Sequence, residues 1–221
     1  MLFDYQGLSD DPPRRGEYRA TWDYQRQVHA LVASGQVADT TIFVEHEPVY
    51  TAGRRTEPQE RPFDGTPVVD VDRGGKITYH GPGQLVGYPI VRLPDGIGVV
   101  DYVRRLEEAV MRTLASYDLS TIRVPERTGV WLPADGLRPE RKICAIGIRV
   151  SKRTTIHGFA LNVAASAAGP FSNIIPCGIT DAGVTTLEHE IGLAPSLLEV
   201  AKRLEPHLSS LLAFGPYEQT R

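Results

Sequence analysis

The stretch KICAIGIRVSKRTTIHGFALNV, residues 142–163, decides the fold class of this chain. It holds two apolar, strand-like runs, at residues 142–150 and 156–163, with a short polar segment between them. So short a connection favours an antiparallel hairpin, because a parallel crossover needs about a dozen residues or more. The stretch therefore predicts an α+β or mixed α/β fold with a largely antiparallel sheet, rather than a doubly wound parallel one.

Further strand-like runs and three amphipathic segments surround this hairpin. The other strand-like runs lie at residues 41–44, 67–71, 84–91 and 128–132. Apolar residues at helical spacing predict helices from about Glu17 to Ser34, from Val99 to Tyr117 and from Ser196 onwards. Gly35 is expected to end the first helix, and Ser196 with Glu199 is typical of a capping box at the start of the last. The sequence thus predicts a mixed sheet flanked by helices.

Length and composition are those of a globular protein. The chain has 221 residues, of which 41% are hydrophobic and 23% charged, and its formal net charge is −3. This charge gives no general attraction to nucleic acid or to an anionic membrane, so we expect neither as a partner. We expect one domain over residues 1–221, with residues 1–16 and 215–221 as candidates for mobile ends.

The N-terminal sequence and the cysteine count indicate the compartment. The chain begins with acidic residues and prolines where a signal peptide needs a basic start and an apolar run, and we expect a cytoplasmic protein. Its two cysteines, Cys144 and Cys177, are expected to be free thiols there. Two cysteines are too few for a four-cysteine zinc site or for an iron–sulfur cluster held by this chain alone.

The stretch RGGKITYHGPGQ, Arg73 to Gln84, packs four glycines, a proline, two cations and a histidine into twelve residues. Its spacing does not match a phosphate-binding loop, because Lys76 is followed by Ile77 and no G-x-G-x-x-G is present. Two tight turns with glycines at positive φ would explain the glycines alone. Turns do not require the Arg, His and Gln placed among them, and these residues favour a binding role.

Cys177 is the candidate reactive thiol. It lies in NIIPCGITDAGVTTL, between a proline and a glycine, in a segment typical of a loop. A thiol with an ordinary pKa of about 8.5 needs a cation beside it to be ionised at neutral pH. The candidates for that cation are Lys142, His80, His157 and Arg73. A metal site is not favoured, because the usual H-x-x-x-H and C-x-x-C spacings are absent.

Cys144 is expected to be structural. It lies inside a strand-like run, where alternation places it on one face with Ile146, Ile148 and Val150. The same alternation places Lys142 and Cys144 on one face, which leaves this pair as the rival to Cys177. On the alternate face, Ala145 and Gly147 are small, which indicates a strand that runs past a pocket.

Five segments in order form a pattern that is more specific than any one of them. They are VEHEPVYTAGRR (44–55), RGGKITYHGPGQLVGYPI (73–90), GVWL with KICAIGIRV (129–150), HGFALNV (157–163) and IIPCGITDAGVTTL (174–187). Together they resemble the lipoyl(octanoyl) transferase family of lipoate biosynthesis. The resemblance implies the fold of the catalytic domains of biotin- and lipoate-protein ligases, a mixed sheet flanked by helices.

The resemblance also implies residue roles. It assigns the acyl-thioester nucleophile to Cys177 and the lysine that lowers its pKa to Lys142. It assigns substrate binding to three segments, Arg73, Gly74, Gly75, Lys76, Ile77, Thr78, Tyr79 and His80, then Ala145, Ile146 and Gly147, then Gly158, Phe159 and Ala160. The chain departs from the family pattern at Thr186, where Ser is frequent, and this position is neither the nucleophile nor its lysine.

The reaction that the resemblance implies needs no cofactor and no metal. Octanoyl-acyl carrier protein donates the acyl group to Cys177, and a lysine of an apo lipoyl domain then accepts it as an amide. The implied acceptors are lipoyl domains of 2-oxoacid dehydrogenases and of glycine cleavage proteins. His80 is expected to orient a substrate group or water near the thiol, and Arg54 with Arg55 to contact the acidic carrier protein.

Two other readings stay open at the level of sequence. An ATP-dependent lipoate- or biotin-protein ligase has the same fold but does not need a nucleophilic cysteine, so Cys177 argues against it. A protein that docks acyl carriers without acylation would not need both Cys177 and Lys142. The presence of both favours the transferase.

Overall fold

The structure, a computed structural model, describes residues 1–62, 64–174 and 182–220. The helices are α1 (Tyr18–Ala33), α2 (Val99–Ala115), α3 (Leu187–Ile191) and α4 (Leu197–Leu211). The strands are β1 (Leu2–Gln6), β2 (Thr40–Val44), β3 (Val49–Ala52), β4 (Val68–Asp70), β5 (Thr78–His80), β6 (Gln84–Ile90), β7 (Ile122–Val124), β8 (Arg127–Leu132), β9 (Arg141–Ser151), β10 (Thr154–Asn162) and β11 (Gly183–Val184). No helix in these three ranges has the length and apolar character needed to cross a membrane.

The main sheet is mixed and largely antiparallel, which confirms the predicted fold class. Its strands lie in the order β1-β2-β6-β10-β9-β8-β7, and β11 pairs with β9 beyond the end of β10. The pairs β1–β2 and β11–β9 are parallel, and the other neighbouring strands of this sheet are antiparallel. A second sheet of three short strands, in the order β4-β3-β5, lies after β2 in the chain.

The β9–β10 hairpin forms as its sequence predicts. Its register pairs Gly158 with Gly147 and Phe159 with Ile146, and it continues to Thr154 opposite Ser151. The two loop residues, Lys152 and Arg153, have φ angles of 51° and 56°. Two residues at positive φ are typical of a type I′ turn, whose twist matches that of the flanking strands.

The three predicted helices are confirmed within one or two residues at the ends that the sequence marked. The Glu17 carboxylate caps α1 by accepting from the backbone N–H groups of Arg19 and Ala20 at 2.8 and 2.7 Å. Gly35, at a φ of 74°, follows the end of α1. At the start of α4 the Ser196 hydroxyl accepts from the Glu199 N–H at 3.1 Å, which is the expected cap.

The helices cover the two faces of the main sheet. Alternate strand residues belong to different clusters, because successive side chains of a strand point to opposite faces. Phe43 and Leu85 pack with α2 and α4 in the larger cluster, whereas Ile42 and Val86 pack with α1 in a smaller one. The sheet is therefore the middle layer of three.

Both ends of the chain contact the rest of the protein, which the sequence did not predict. In β1, Phe3 and Tyr5 stack on Phe43 with ring centroids 6.1 and 5.7 Å apart, and the strand forms one edge of the main sheet. Near the other end, the Thr220 N–H donates to the Glu108 carboxylate of α2 at 3.0 Å.

The sequence analysis also did not predict several short elements, which are the strands β1, β3, β5, β7 and β11 and the helix α3. The single domain over residues 1–221 stays a prediction.

Candidate active site

A cavity of about 410 Å³ lies where the 73–76 turn meets β9 and β10. Of the residues that the resemblance assigns to substrate binding, twelve line it together with Lys142: Arg73, Gly74, Gly75, Lys76, Thr78, His80, Ala145, Ile146, Gly147, Gly158, Phe159 and Ala160. Three segments that are far apart in the sequence thus meet in one concave site. Tyr18 of α1 and Tyr88 of β6 contribute aromatic side chains to the wall of the cavity.

Ile77 and Tyr79 do not line this cavity. Both are buried in a separate apolar cluster with Tyr50, Phe171 and Ile174. Since Thr78 and His80 face the cavity, alternation along β5 turns their neighbours to the opposite side. Their side chains therefore pack under the small sheet, and a role of these two residues in substrate binding stays a prediction.

Lys142 reaches the cavity because of an irregularity in β9. The pairing with β8 shifts between Cys144, opposite Val130, and Lys142, opposite Trp131, so Ile143 is an extra residue. Ile143 and Cys144 are both fully buried in the large apolar cluster, whereas Lys142 lines the cavity. The interpretation that Lys142 and Cys144 share a face is therefore wrong.

Trp131 and Gly129 of β8 shape the position of Lys142. The Lys142 Nζ lies 4.6 Å from the centroid of the Trp131 ring, within cation–π distance. Gly129 has a φ of 125°, and a Cβ there would come within 2.4 Å of the Cys144 carbonyl oxygen and 3.4 Å of the Lys142 Cε. The glycine therefore leaves the space that the β9 irregularity and the lysine stem occupy.

Cys144 is a buried thiol, as expected. Its side chain is fully buried, and burial raises its pKa well above the ordinary value. The Sγ lies 3.6 Å from the Ala145 carbonyl oxygen, which is within range of a weak S–H hydrogen bond. Cys144 thus behaves as a small apolar core residue rather than as a nucleophile.

Cys177 lies outside the described residues, but both sides of its segment are placed. Before it, Ile174 is buried under the small sheet. After it, Gly183 pairs with Arg141 and Val184 pairs with Lys142, and the Thr185 N–H donates to the Lys142 carbonyl at 3.0 Å. The chain therefore returns directly to the strand that carries Lys142.

A chain of buried amides links Thr185 to His80. The Thr185 carbonyl accepts from Asn162 Nδ2 at 3.0 Å, Asn162 Oδ1 accepts from Gln84 Nε2 at 2.9 Å, and Gln84 Oε1 lies 2.8 Å from His80 Nδ1. A carbonyl can only accept, so each amide orientation follows from the previous one. His80 Nδ1 must therefore carry the proton, and its Nε2 faces the Thr51 hydroxyl at 3.4 Å.

The imidazoles around the cavity are neutral in the folded protein. Burial lowers the pKa of His80 to about 3 and that of His46 to about 4. Burial, with Arg73 and Arg149 nearby, lowers the pKa of His157 to about 3. The sequence analysis named four candidates for the cation beside the reactive thiol. Two of them, His80 and His157, are uncharged near neutral pH, so Lys142 and Arg73 remain.

His157 differs from the other two histidines in its free nitrogen. His46 contacts the Gly16 carbonyl and the Tyr88 hydroxyl, and both nitrogens of His80 also face protein groups. His157 has a φ of 63°, and its Nε2 donates to the Asp72 carboxylate at 2.7 Å. Within the described ranges its buried Nδ1 has no hydrogen-bond partner.

Arg73 shapes the glycine-rich turn. Its guanidinium donates to the carbonyls of Gly74, Lys76 and Thr51 at 3.0, 2.8 and 2.7 Å. A Cβ at Gly147 would lie 2.9 Å from the Arg73 Cδ, so the glycine leaves space for this side chain. Part of the glycine content near the cavity therefore accommodates a buried arginine, which the sequence did not reveal because Thr51 and Gly147 are distant in the chain.

Comparisons with known proteins identify the family of the chain. Residues 17–209 match the model of the family described as the lipoyl protein ligase A/B catalytic domain. A curated relative named octanoyltransferase, from Cutibacterium acnes, is 60% identical over 227 residues, covering 100% of this chain and 83% of the relative. Another octanoyltransferase, from Mycolicibacterium smegmatis, is 60% identical over 189 residues, covering 85% of this chain and 82% of the relative.

Solved structures share the fold at low sequence identity. A lipoate-protein ligase A bound with ATP has a TM-score of 0.68 at 16% identity, covering 96% of this chain and 86% of that one. A bi-partite lipoate protein ligase from Thermoplasma acidophilum has a TM-score of 0.65 at 17% identity, covering 100% and 87%. A biotin protein ligase variant from Aquifex aeolicus, in complex with biotin, has a TM-score of 0.54 at 15% identity, covering 96% and 70%.

Proposed function

The chain belongs to the lipoyl protein ligase A/B catalytic domain family, and on that premise we propose that it transfers an octanoyl group from acyl carrier protein to a lipoyl-domain lysine through Cys177. Curated relatives that are 50–61% identical over most of the chain are named octanoyltransferase, so octanoyl transfer in lipoate biosynthesis is its activity and acyltransferase its enzyme class. The likeness to three solved ligases, one of them bound with ATP, is at 15–17% identity and therefore shows the fold alone.

The observation that carries the mechanism is the position of Lys142. It lines the cavity, and its strand pairs with the residues that follow the Cys177 segment. An ammonium group in that place stabilises a thiolate electrostatically, and unlike an arginine it is able to release a proton. The buried Cys144 offers no competing nucleophile, because burial raises its pKa.

In the first step, the Cys177 thiolate attacks the carbonyl carbon of the octanoyl thioester. A bond forms between that carbon and the Cys177 sulfur, the bond to the sulfur of the carrier arm breaks, and the departing thiolate takes a proton. Lys142 is the proposed source of this proton. Thioester exchange is close to neutral in free energy, so no nucleotide is consumed.

In the second step, the amine of the acceptor lysine attacks the acyl-enzyme. A C–N bond forms, the bond to the Cys177 sulfur breaks, and the amine loses a proton, for which Lys142 is the proposed acceptor. The donor that we propose is octanoyl-acyl carrier protein, and the acceptors are apo lipoyl domains of 2-oxoacid dehydrogenases and glycine cleavage proteins. We propose the cytoplasm as the compartment on the sequence argument alone.

Intact mass measurement after incubation with octanoyl-acyl carrier protein, without acceptor and without ATP, tests the proposal. We expect the mass of one octanoyl group to be added and peptide mapping to place it on Cys177. Cys144→Ser is the matched control and should keep both adduct and transfer. An adduct on Cys144, or a strict need for ATP, would contradict the proposal.

A further inference from the structure

One cation of the described cavity lining is not required by the proposed chemistry. The chain as a whole has a formal net charge of −3. Among the described residues that line the cavity there is one carboxylate, that of Glu126, against five cations, those of Arg55, Arg73, Lys76, Arg127 and Lys142. Lys76 forms an ion pair with Glu60 outside the lining, and Arg73, Arg127 and Lys142 also interact with other groups of the protein. Arg55 is the one of these five cations for whose side chain the described residues provide no partner.

An octanoyl thioester does not explain the position of Arg55. The acyl chain and the thioester are both uncharged, and a cysteine thiolate is a single negative charge that Lys142 can balance. Clefts lined by charge of one sign raise the local concentration of ligands of the opposite sign. An exposed arginine on the cavity lining therefore points to a further anionic group on the substrate.

Arg55 is the cavity residue best placed to meet such a group. Its side chain is exposed while it lines the cavity, and within the described ranges it contacts no carboxylate. Its backbone N–H donates to the Gly75 carbonyl at 3.1 Å, and that of Arg54 donates to the Arg73 carbonyl at 3.2 Å. These bonds fix the base of both arginines to the turn that forms the cavity wall, while the Arg55 head group stays in solvent.

We propose that Arg55, assisted by the adjacent Arg54, binds the phosphate group of the phosphopantetheine arm that presents the octanoyl thioester. This inference rests on the proposed function, since that function supplies the arm. The arm places its phosphate at the end remote from the thioester, and Arg55 is an exposed lining residue whereas Arg73 is buried in the wall. A guanidinium matches phosphate oxygens with two parallel N–H donors, which a lysine at this position would not.

Small-molecule donors separate the phosphate from the carrier protein. Octanoyl-4′-phosphopantetheine and octanoyl-pantetheine differ by the phosphate alone, and each is supplied to the full-length protein with an apo lipoyl domain as acceptor. For wild type we expect kcat/KM to be roughly tenfold higher with the phosphorylated donor, in line with an exposed charge-assisted contact, and to lose part of this advantage in high salt. Arg55→Ala should bring the two donors to equal kcat/KM.

Arg92→Ala is the matched control, because Arg92 is also exposed but lies outside the cavity lining, and it should keep the full preference. Equal kcat/KM for the two donors in wild type, or an unchanged preference in Arg55→Ala, would overturn the inference. A loss confined to octanoyl-acyl carrier protein would also overturn it, by assigning the arginines to carboxylates of the carrier protein instead. Absence of transfer from every donor would count against the proposed function itself.

Discussion

The two faces of the main sheet are both well buried, but they bury different chemistry. On the face covered by α2 and α4, the cluster that includes Leu106 and Cys144 is apolar. On the face that carries α1, the rings of His46, His80 and His157 lie within 6 Å of aromatic side chains of α1 or β6. Buried polar groups cost free energy unless they are hydrogen-bonded, and nearly every imidazole nitrogen here has a partner.

This difference separates the residues that stabilise the fold from those expected to take part in the reaction. Two neighbours on β9 show it most directly, because Cys144 lies in the apolar layer and Lys142 lies in the cavity, two residues earlier. We expect substitutions in the apolar α2/α4 cluster to change the free energy of unfolding, and substitutions of the polar residues in and around the cavity to change the reaction or the response to pH.

The largest effect is expected at Lys142. Lys142→Ala should lower octanoyl transfer by a factor on the order of 10³, because it removes both the cation and the proton carrier. Lys142→Arg should also lose transfer, since a guanidinium cannot release a proton at working pH, but it should still support the thiolate. The measurement is the pH dependence of Cys177 alkylation by iodoacetamide beside transfer assays on each variant.

Alkylation near neutral pH is expected to persist in Lys142→Arg and to move to higher pH in Lys142→Ala. Turnover close to wild type in Lys142→Ala would refute the role of the lysine. Since the nitrogens of His80 face protein groups, the search for a base would then move to His157.

A smaller effect, on stability rather than on chemistry, is expected from the apolar face. Leu106 of α2 is fully buried, and Leu106→Ala should lower the free energy of unfolding by about 2–5 kcal/mol, through lost burial and the cavity left behind. Urea unfolding measures this, with Leu137→Ala as the matched control because Leu137 is 95% exposed. The folded Leu106→Ala protein should keep its KM for the acyl donor, and a raised KM would break the division between the two faces.

The smallest effect is expected at a single histidine near the cavity, as a change in how stability depends on pH. The three imidazoles have pKa values of about 4, 3 and 3 when folded, against 6.5 ordinarily. Between these values the unfolded chain binds protons that the folded protein does not, so stability should fall as pH falls below about 6.5. Each histidine adds a slope of about 1.4 kcal/mol per pH unit in that window.

His157→Asn tests this pH dependence, because asparagine tolerates the left-handed backbone at this position. Between pH 6 and pH 5, the change in the free energy of unfolding per pH unit should be smaller than in wild type by the contribution of one histidine. The same substitution at the exposed His189 should leave the slope as it is in wild type. An unchanged slope in His157→Asn would mean that His157 is protonated in the folded state.

The sequence alone was sufficient for the features that depend on neighbours along the chain. Helical spacing predicted α1, α2 and α4, and a short polar connection predicted the β9–β10 hairpin, because these patterns are set within a few residues. The resemblance of five segments also selected twelve residues that the fold brings to one cavity. The roles of Cys177 and Lys142 stay predictions, and Cys177 lies outside the described residues.

Tertiary structure alone decided the features that need a distant partner. Strands of two to five residues, such as β1, β5 and β11, have too little local pattern to be seen, and they exist because another strand pairs with them. The extra residue Ile143, which separates Lys142 from Cys144, is defined only against β8. The position of the proton on His80 follows from the carbonyl of Thr185, more than a hundred residues away in the sequence. Each hydrogen bond in this series fixes which atom of the next side chain donates and which accepts, and these side chains are close in space but distant in the sequence.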